Sequence, residues 1–221
     1  MNKPAFPPEF DAALRLRRGL PEPLPTTQGA QDWPRLAWSL AMFDRAIERG
    51  LFDEMDHIEL IGGELVPMAS KGNRHERVRY ELSKWMRRRL GETLYLDVEL
   101  GWRPGNETYL EPDILVFADD SNVPYVPVNQ VRLLIEVSHS SLSRDLGLKT
   151  ALYASLDVQT YWVVNAVTLA IRSHEVPSPS GFTTVIDYQP GDLVAPSLAP
   201  ELALRMADLG IDPYVEADEA E

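Results

Sequence analysis

The stretch VRLLIEVSHSS, residues 131–141, decides how the chain is read. Five of its first seven residues are aliphatic and β-formers dominate, so it predicts a strand inside a sheet. One carboxylate, Glu136, interrupts it. A charge in such a place is costly unless it is paired or bound to a cation.

The segments on either side carry the same anomaly. Downstream, SLSRDLGLKTALYASL predicts a helix with the apolar stripe Leu142, Leu146, Tyr153 and Leu156, and at 100° per residue the centre of that stripe is Lys149. Upstream, YLEPDILVF predicts a strand whose apolar interior, Ile114 to Phe117, is opened by Asp113. Each charge alone has a bland reading: strand-end acids are often half exposed, and a lysine stem can cross apolar surface to bring its ammonium to water. If the three converge, two carboxylates and an amine can satisfy one another or hold a divalent cation. A helix folding back on its own strand brings Lys149 toward Glu136, and a connection of about a dozen residues lets the Asp113 strand lie beside it. Two hard oxygen donors suit Mg²⁺ or Mn²⁺, and a nearby amine can orient water or stabilise charge on a phosphorane-like transition state. Phosphodiester hydrolysis fits that set.

The rest of the chain supplies a frame. Its 221 residues suffice for one core, and the lack of cysteine removes disulfides and thiolate zinc sites and suits the cytoplasm. No segment has the roughly 18 uninterrupted apolar residues of a membrane span. Seven prolines in the first 34 residues make 1–32 read as a flexible or extended arm, and 213–221 as an acidic tail, with one domain over 33–212. From Pro34 a helix with the stripe Leu36, Leu40, Phe43 and Ile47 is expected, with Asp32 as cap and Gly50 as stop. HIELIGGELVPM predicts a hairpin turning at Gly62-Gly63, and NRHERVRYELSKWMRRRL a helix capped by Asn73 with His75, Val78, Leu82 and Trp85 on one face. LYLDVELGWR is a further strand; YWVVNA and TLAIRSHE form a hairpin around Ala166-Val167, GFTTVIDY is another strand, and LAPELALRMADLG reads as a closing amphipathic helix. The mixture is α/β or α+β: a sheet with helices packed on it.

A net charge of −13 argues at first against a polyanionic partner. Residues 71–90, however, hold eight of the 21 basic residues and only two of the 34 acidic ones, so this segment is +6 and the remainder −19. It reads either as a solvated helix flank or as a face that attracts phosphate.

The ordered set ELIGGELVPM, RHERV, YLEPDILVF, LLIEVSHSSLSRDLGLKTALYA and YWVV resembles the Uma-two family of restriction endonuclease-like proteins, and Pro112-Asp113 followed by Glu136 resembles the PD-(D/E)xK nuclease motif. The similarity runs from about residue 34 to 210. It implies a restriction-endonuclease-like core, a mixed sheet of four or five strands flanked by helices, here with an added N-terminal helix and C-terminal hairpin. Asp113 and Glu136 match the metal-binding acids, Lys149 the lysine in the helix, Glu64 the glutamate of the GEL element, and His75 the histidine opening the second helix. In the wider nuclease pattern the lysine lies two residues after the glutamate, where this chain has Ser138, and the resemblance to the family implies that the amine has moved to Lys149. Asn165 stands where relatives often have aspartate.

The expectation is a Mg²⁺-dependent (or Mn²⁺-dependent) endonuclease acting on DNA as a homodimer. Asp113, Glu136 and the carbonyl of Val137 bind the cation, Lys149 positions water, and Glu64 assists. His75 and Tyr153 are accessory, and Lys71, Arg74 and Arg77 meet the phosphate backbone. The rival reading is a nuclease-like fold that binds nucleic acid or protein without cleaving it. A glycosidase built on paired carboxylates leaves the lysine unexplained.

Overall fold

A computed structural model describes residues 26–28, 34–52, 58–68, 71–118, 123–139 and 141–214. Most of the expected arm, its proposed cap Asp32 and residues 215–221 of the acidic tail lie outside the described residues.

The expected buried strand is β9 (Val131–Ser138), and it sits in the middle of a six-stranded mixed sheet. Numbering strands along the chain, β5 (Tyr95–Val98), β8 (Ile114–Phe117), β9, β10 (Thr160–Asn165), β11 (Ile171–Ser178) and β12 (Gly181–Tyr188) lie in the order β12-β11-β10-β9-β8-β5. Only β9 and β10 are parallel neighbours, the other pairs being antiparallel. Both faces of β9 are covered, which is why it reads as a near-continuous apolar run. Leu133, Ile135 and Val137 join the core beneath helix α2 (Asn73–Arg87) with Val78, Leu82 and Met86. By strand alternation Leu134, Glu136 and Ser138 face the other way, where Leu134 packs with Tyr153 and Tyr161.

A second, four-stranded sheet has the order β4-β3-β7-β6, from β3 (Ile58–Ile61), β4 (Glu64–Pro67), β6 (Trp102–Gly105) and β7 (Thr108–Leu110). The β3–β4 hairpin turns on Gly62 and Gly63 at φ +57° and +83°, and a Cβ on Gly63 would lie 2.8 Å from that of Ala37. LYLDVELGWR and YLEPDILVF each divide between the two sheets. Val98 pairs with Ile114 in one and Trp102 with Leu110 in the other, so residues 95–117 form one long hairpin bent in the middle. The bend falls at Glu99, with φ +54°, whose N–H donates to the carbonyl of Asp113 at 3.3 Å.

Helix boundaries depart from expectation where tertiary contacts hold the chain. Pro34–Leu36 is a strand, β2, paired with β1 (Thr26–Gln28) inside the expected arm. Trp38 N–H is bonded to Gly63 O at 2.8 Å, and the helix α1 (Leu40–Glu48) starts only after Ser39, whose hydroxyl accepts from Met42 N. Leu36 is therefore exposed, and the buried stripe is Leu40, Phe43 and Ala46. The cap of α2 is Gly72, which makes Asn73 its first residue. The expected closing helix is instead two 3₁₀ turns, Pro200–Leu202 and Met206–Leu209, separated by Leu204, which bridges Val194 through both main-chain groups. Among the described residues no helix is long and apolar enough to cross a membrane.

The crossover from β9 to β10 is helical but not regular. It runs through a short turn α3 (Leu142–Arg144), a π turn (Asp145–Lys149) and α4 (Thr150–Ser155). Thr150 Oγ1 and the Tyr161 hydroxyl both donate to the Asp145 carbonyl, supplying partners for a group displaced from the α ladder. A wider turn brings residues four apart almost into line, so Asp145 and Lys149 are both buried on one face.

Candidate active site

The register of the large sheet sets the site. Ile114 lies opposite Ile135, so one residue beyond the end of β8 Asp113 comes opposite Glu136, on the sheet face that the crossover covers. Asp113 Oδ2 accepts the N–H of Val137 at 2.7 Å and lies 2.9 Å from His75 Nε2, while Lys71 Nζ lies 3.4 Å from Oδ1. Burial opposes ionisation of Asp113, but hydrogen bonding and charge from His75, with Lys71 and the Val137 amide, outweigh it and hold the carboxyl below its ordinary range. Burial likewise opposes protonation of His75, and Asp113 overrides it and raises the imidazole.

Glu136 is in the opposite situation. Its Oε1 accepts from Lys149 Nζ at 2.8 Å and from the Tyr153 hydroxyl at 2.7 Å. Burial still pushes Glu136 up to about 8; Lys149 works against this, and Asp113, Asp145 and Glu59 reinforce it. Lys149 is 4% exposed, yet the charges of Glu136 and Glu59 overcome desolvation and raise it, so the amine stays an ammonium. Tyr153 is raised well above the ordinary phenol range, first by burial and then by Glu136, so it serves as a donor.

Asp113, Glu136, Lys149, His75 and Lys71 line one open cleft with Val137 and Glu59, with a volume of about 40 Å³. At roughly 10–15 Å³ for each water position, that is room for an ion or a few waters. Asp113, Glu136, Lys149, His75, Lys71 and Val137 are thus brought together, with Tyr153 directly behind Glu136.

Three expected residues, Glu64, Arg74 and Arg77, do not line the cleft. Glu64 is exposed at the turn end of β4, opposite Ile61, two residue pairs along from Glu59. Of the two acids in the hairpin it is Glu59, 1% exposed, that enters the cleft, with Oε1 3.1 Å from Lys149 Nζ. Arg74 is occupied structurally: its guanidinium donates to the carbonyls of Ala166 at 2.7 Å and Asp212 at 2.6 Å, fastening α2 to the C-terminal segment. Arg77 lies on the solvent side of α2, ion-paired with Glu81 at 3.0 Å. Lys71 is held by Glu99 and Asp113 at the cleft rather than on an open basic face.

Glu59 carried a readable signal. It lies among aliphatics in IELI as Glu136 does in LLIEV, whereas Glu64 is singled out by its match to the GEL element. Asp145, which accepts the hydroxyls of Ser138 and Ser141 at 2.5 and 2.6 Å, had no such signal, because a polar residue at the head of a helix is ordinary.

Among the described residues no three His, Asp or Glu side chains are arranged to ligate an ion by themselves. What the cleft offers is Asp113, Glu136 and the main chain at Val137, which leaves several positions to water, as hard divalent ions accept. Burial first, and then the charges of Asp113, Asp145 and Glu59, oppose ionisation of Glu136, and a divalent cation in the cleft would favour its ionised form.

Comparison with known proteins agrees with this architecture. An uncharacterized protein of Synechocystis, sll1609, is 25% identical over 126 residues, covering 53% of this chain and 71% of its own. The crystal structure of a "putative nuclease belonging to DUF820" from Anabaena variabilis superposes with a TM-score of 0.55 at 20% identity, covering 69% of this chain and 88% of that one, and shares the fold. Residues 41–207 match the family model Uma2, described as "putative restriction endonuclease". A match over that span, well beyond half of the sequence, means that the chain belongs to the Uma2 family.

Proposed function

We propose that the protein is a Mg²⁺-dependent endonuclease that hydrolyses phosphodiester bonds in DNA. The observation that carries this is the meeting of Asp113 and Glu136, from adjacent strands, with the ammonium of Lys149 in one cleft. Asp113, Glu136 and the Val137 carbonyl would hold the cation, which would polarise the phosphodiester as a Lewis acid.

The chain's own groups do the rest. His75 and the Val137 amide fix Asp113 in its ionised form. Lys149, protonated and donating, cannot act as a base; it orients the attacking water or stabilises charge growing on the phosphoryl oxygens. Lys71 stands at the cleft, within reach of a substrate phosphate. Arg77 on the outer face of α2 meets the backbone beyond. A homodimer would present two clefts to the two strands.

The test is incubation of purified protein with supercoiled DNA, and separately with RNA, with Mg²⁺, with Mn²⁺ and with EDTA, beside Asp113→Ala and Lys149→Ala. Nicking of DNA that needs the metal and disappears in both variants supports the proposal. Binding without nicking under every condition would favour the non-cleaving reading, and nicking that survives both variants would place the chemistry elsewhere.

A further inference from the structure

We infer that Glu59 is the positioning residue for Lys149: a carboxylate carried by the small sheet that keeps the catalytic amine aimed when Glu136 is engaged by a cation. The inference rests on the nuclease reading above and assigns a task to an acid that reading does not use.

The geometry is specific. Lys149 Nζ lies between two carboxylate oxygens, 2.8 Å from Glu136 Oε1 and 3.1 Å from Glu59 Oε1. Glu136 belongs to β9 in the six-stranded sheet and Glu59 to β3 in the four-stranded one, so the ammonium ties the two sheets together where the cleft opens. Glu59 is itself anchored at the bend of the long hairpin, where the N–H of Glu111 donates to the same Oε1 at 3.3 Å. Its second oxygen, Oε2, is buried and has no hydrogen-bond partner among the described residues.

The two acids do different work. Glu136 also faces Asp113 and can give its charge to a divalent ion, and as it does so its hold on Lys149 weakens. An ammonium with no second partner would then turn toward the ion's other anionic ligands. Glu59 supplies that partner from the opposite side and keeps the amine in place, and displacement of a catalytic group by about 1 Å costs on the order of 10²-fold in rate.

The experiment uses the full chain with Glu59→Gln, which keeps size and removes charge, and Glu59→Asp, which keeps charge and shortens the reach. Three readouts are taken on each: Mn²⁺ affinity by calorimetry, the rate at which an amine-directed acylating reagent labels Lys149 with and without Mn²⁺ (read by peptide mass spectrometry), and kcat and KM for nicking. For Glu59→Gln the expected results are Mn²⁺ affinity close to wild type, faster labelling of Lys149 with the largest excess when Mn²⁺ is present, and a kcat lowered about 10²-fold with KM little changed. Glu59→Asp should recover part of the protection of Lys149 and part of kcat. Labelling of Lys149 as slow as in wild type overturns the inference. So does loss of Mn²⁺ binding to the extent seen in Glu136→Gln, since Glu59 would then be a ligand. If the wild-type protein nicks nothing, the nuclease reading fails, and the labelling rate with and without Mn²⁺ still decides whether Glu59 holds Lys149.

Discussion

Lys149 donates to Glu136 across 2.8 Å, and the twelve residues between them lead through the end of the strand and a tight turn into an irregular helix folded directly over the strand it leaves. The pair is buried on both sides, and Glu59 shares the ammonium. Removing the amine leaves two carboxylates without a cation, a change that ordinarily costs about 3–5 kcal/mol in a protein interior. Lys149→Ala should therefore unfold in urea with a deficit of that order in EDTA above pH 8, where Glu136 of the wild type has lost its proton. The deficit should shrink at lower pH, where the stranded Glu136 can take up a proton. An unchanged midpoint would mean that the ion pair is not formed in solution.

Stability of the metal-free protein should fall as pH rises from about 5 to 8. Glu136 is raised from an ordinary 4.5 to about 8 in the folded state, so between those values the native protein holds a proton that the unfolded chain has released. Each pH unit in that window removes at most about 1.4 kcal/mol. His75 acts in the same direction: it is raised above 6.5, so its contribution is complete below that value and is lost as pH climbs through the folded one. Asp113 acts oppositely in acid, being lowered from 3.8, and its contribution disappears as pH falls through its folded value. Urea midpoints in EDTA from pH 4 to 9 should peak on the acid side of neutrality, and Glu136→Gln should flatten the alkaline limb. A midpoint that rises from pH 6 to 8 would contradict this.

The anomalies that could be read from sequence were those a local pattern makes costly. Asp113, Glu136 and Lys149 each interrupt an apolar run, and the structure brings all three to one cleft. Their opposition on neighbouring strands is a consequence of register, which the even period of a strand fixes once β8 and β9 pair. Lys71 is expected from sequence only as a phosphate contact in a basic segment, and it takes the fold to show that its partners are Asp113 and Glu99 at the cleft. The bend of the 95–117 hairpin was hidden for a similar reason: Glu99 takes a left-handed φ that its residue type does not advertise. At both ends of the domain, apolar spacing suggested helix where main-chain bonds to distant segments, Trp38 to Gly63 and Leu204 to Val194, hold the chain extended.

Two arginines three residues apart on α2 should behave in opposite ways. Arg74 is bonded to two main-chain carbonyls contributed by residues 166 and 212, so Arg74→Ala should lower stability by about 1–3 kcal/mol and leave DNA affinity unchanged once the fold is intact. Arg77 has 60% of its side chain exposed and holds only a surface ion pair with Glu81. Arg77→Ala should shift stability by no more than about 0.5 kcal/mol, since surface pairs contribute little. It should weaken DNA binding and lower the slope of log affinity against log salt by about 1. Fluorescence anisotropy titrations at several salt concentrations, beside urea melts, separate the two. Equal effects of both substitutions on DNA affinity would show that Arg74 leaves its carbonyls to bind phosphate.

Glu136→Gln and Asp113→Asn remove one charge each from the same cleft and should differ in sign. Glu136 is the acid whose ionisation burial and three neighbouring carboxylates oppose, and if it is neutralised Lys149 keeps Glu59 while the amide oxygen can still accept from Tyr153. The metal-free melting temperature of Glu136→Gln should therefore equal or exceed that of wild type. Asp113 is held ionised by His75 and the amide of Val137, so Asp113→Asn exchanges bonds to a carboxylate for weaker ones, and a loss of about 1.5–3 kcal/mol follows. Adding Mn²⁺ should raise the melting temperature of wild type, since a ligand at a hundred times its Kd stabilises the folded state by about 2.7 kcal/mol. Neither variant should respond to the ion, because each lacks one of the two carboxylates proposed to hold it. A Glu136→Gln protein that melts lower without metal, or that still gains from Mn²⁺ as wild type does, would show that Glu136 serves the fold and not the cation.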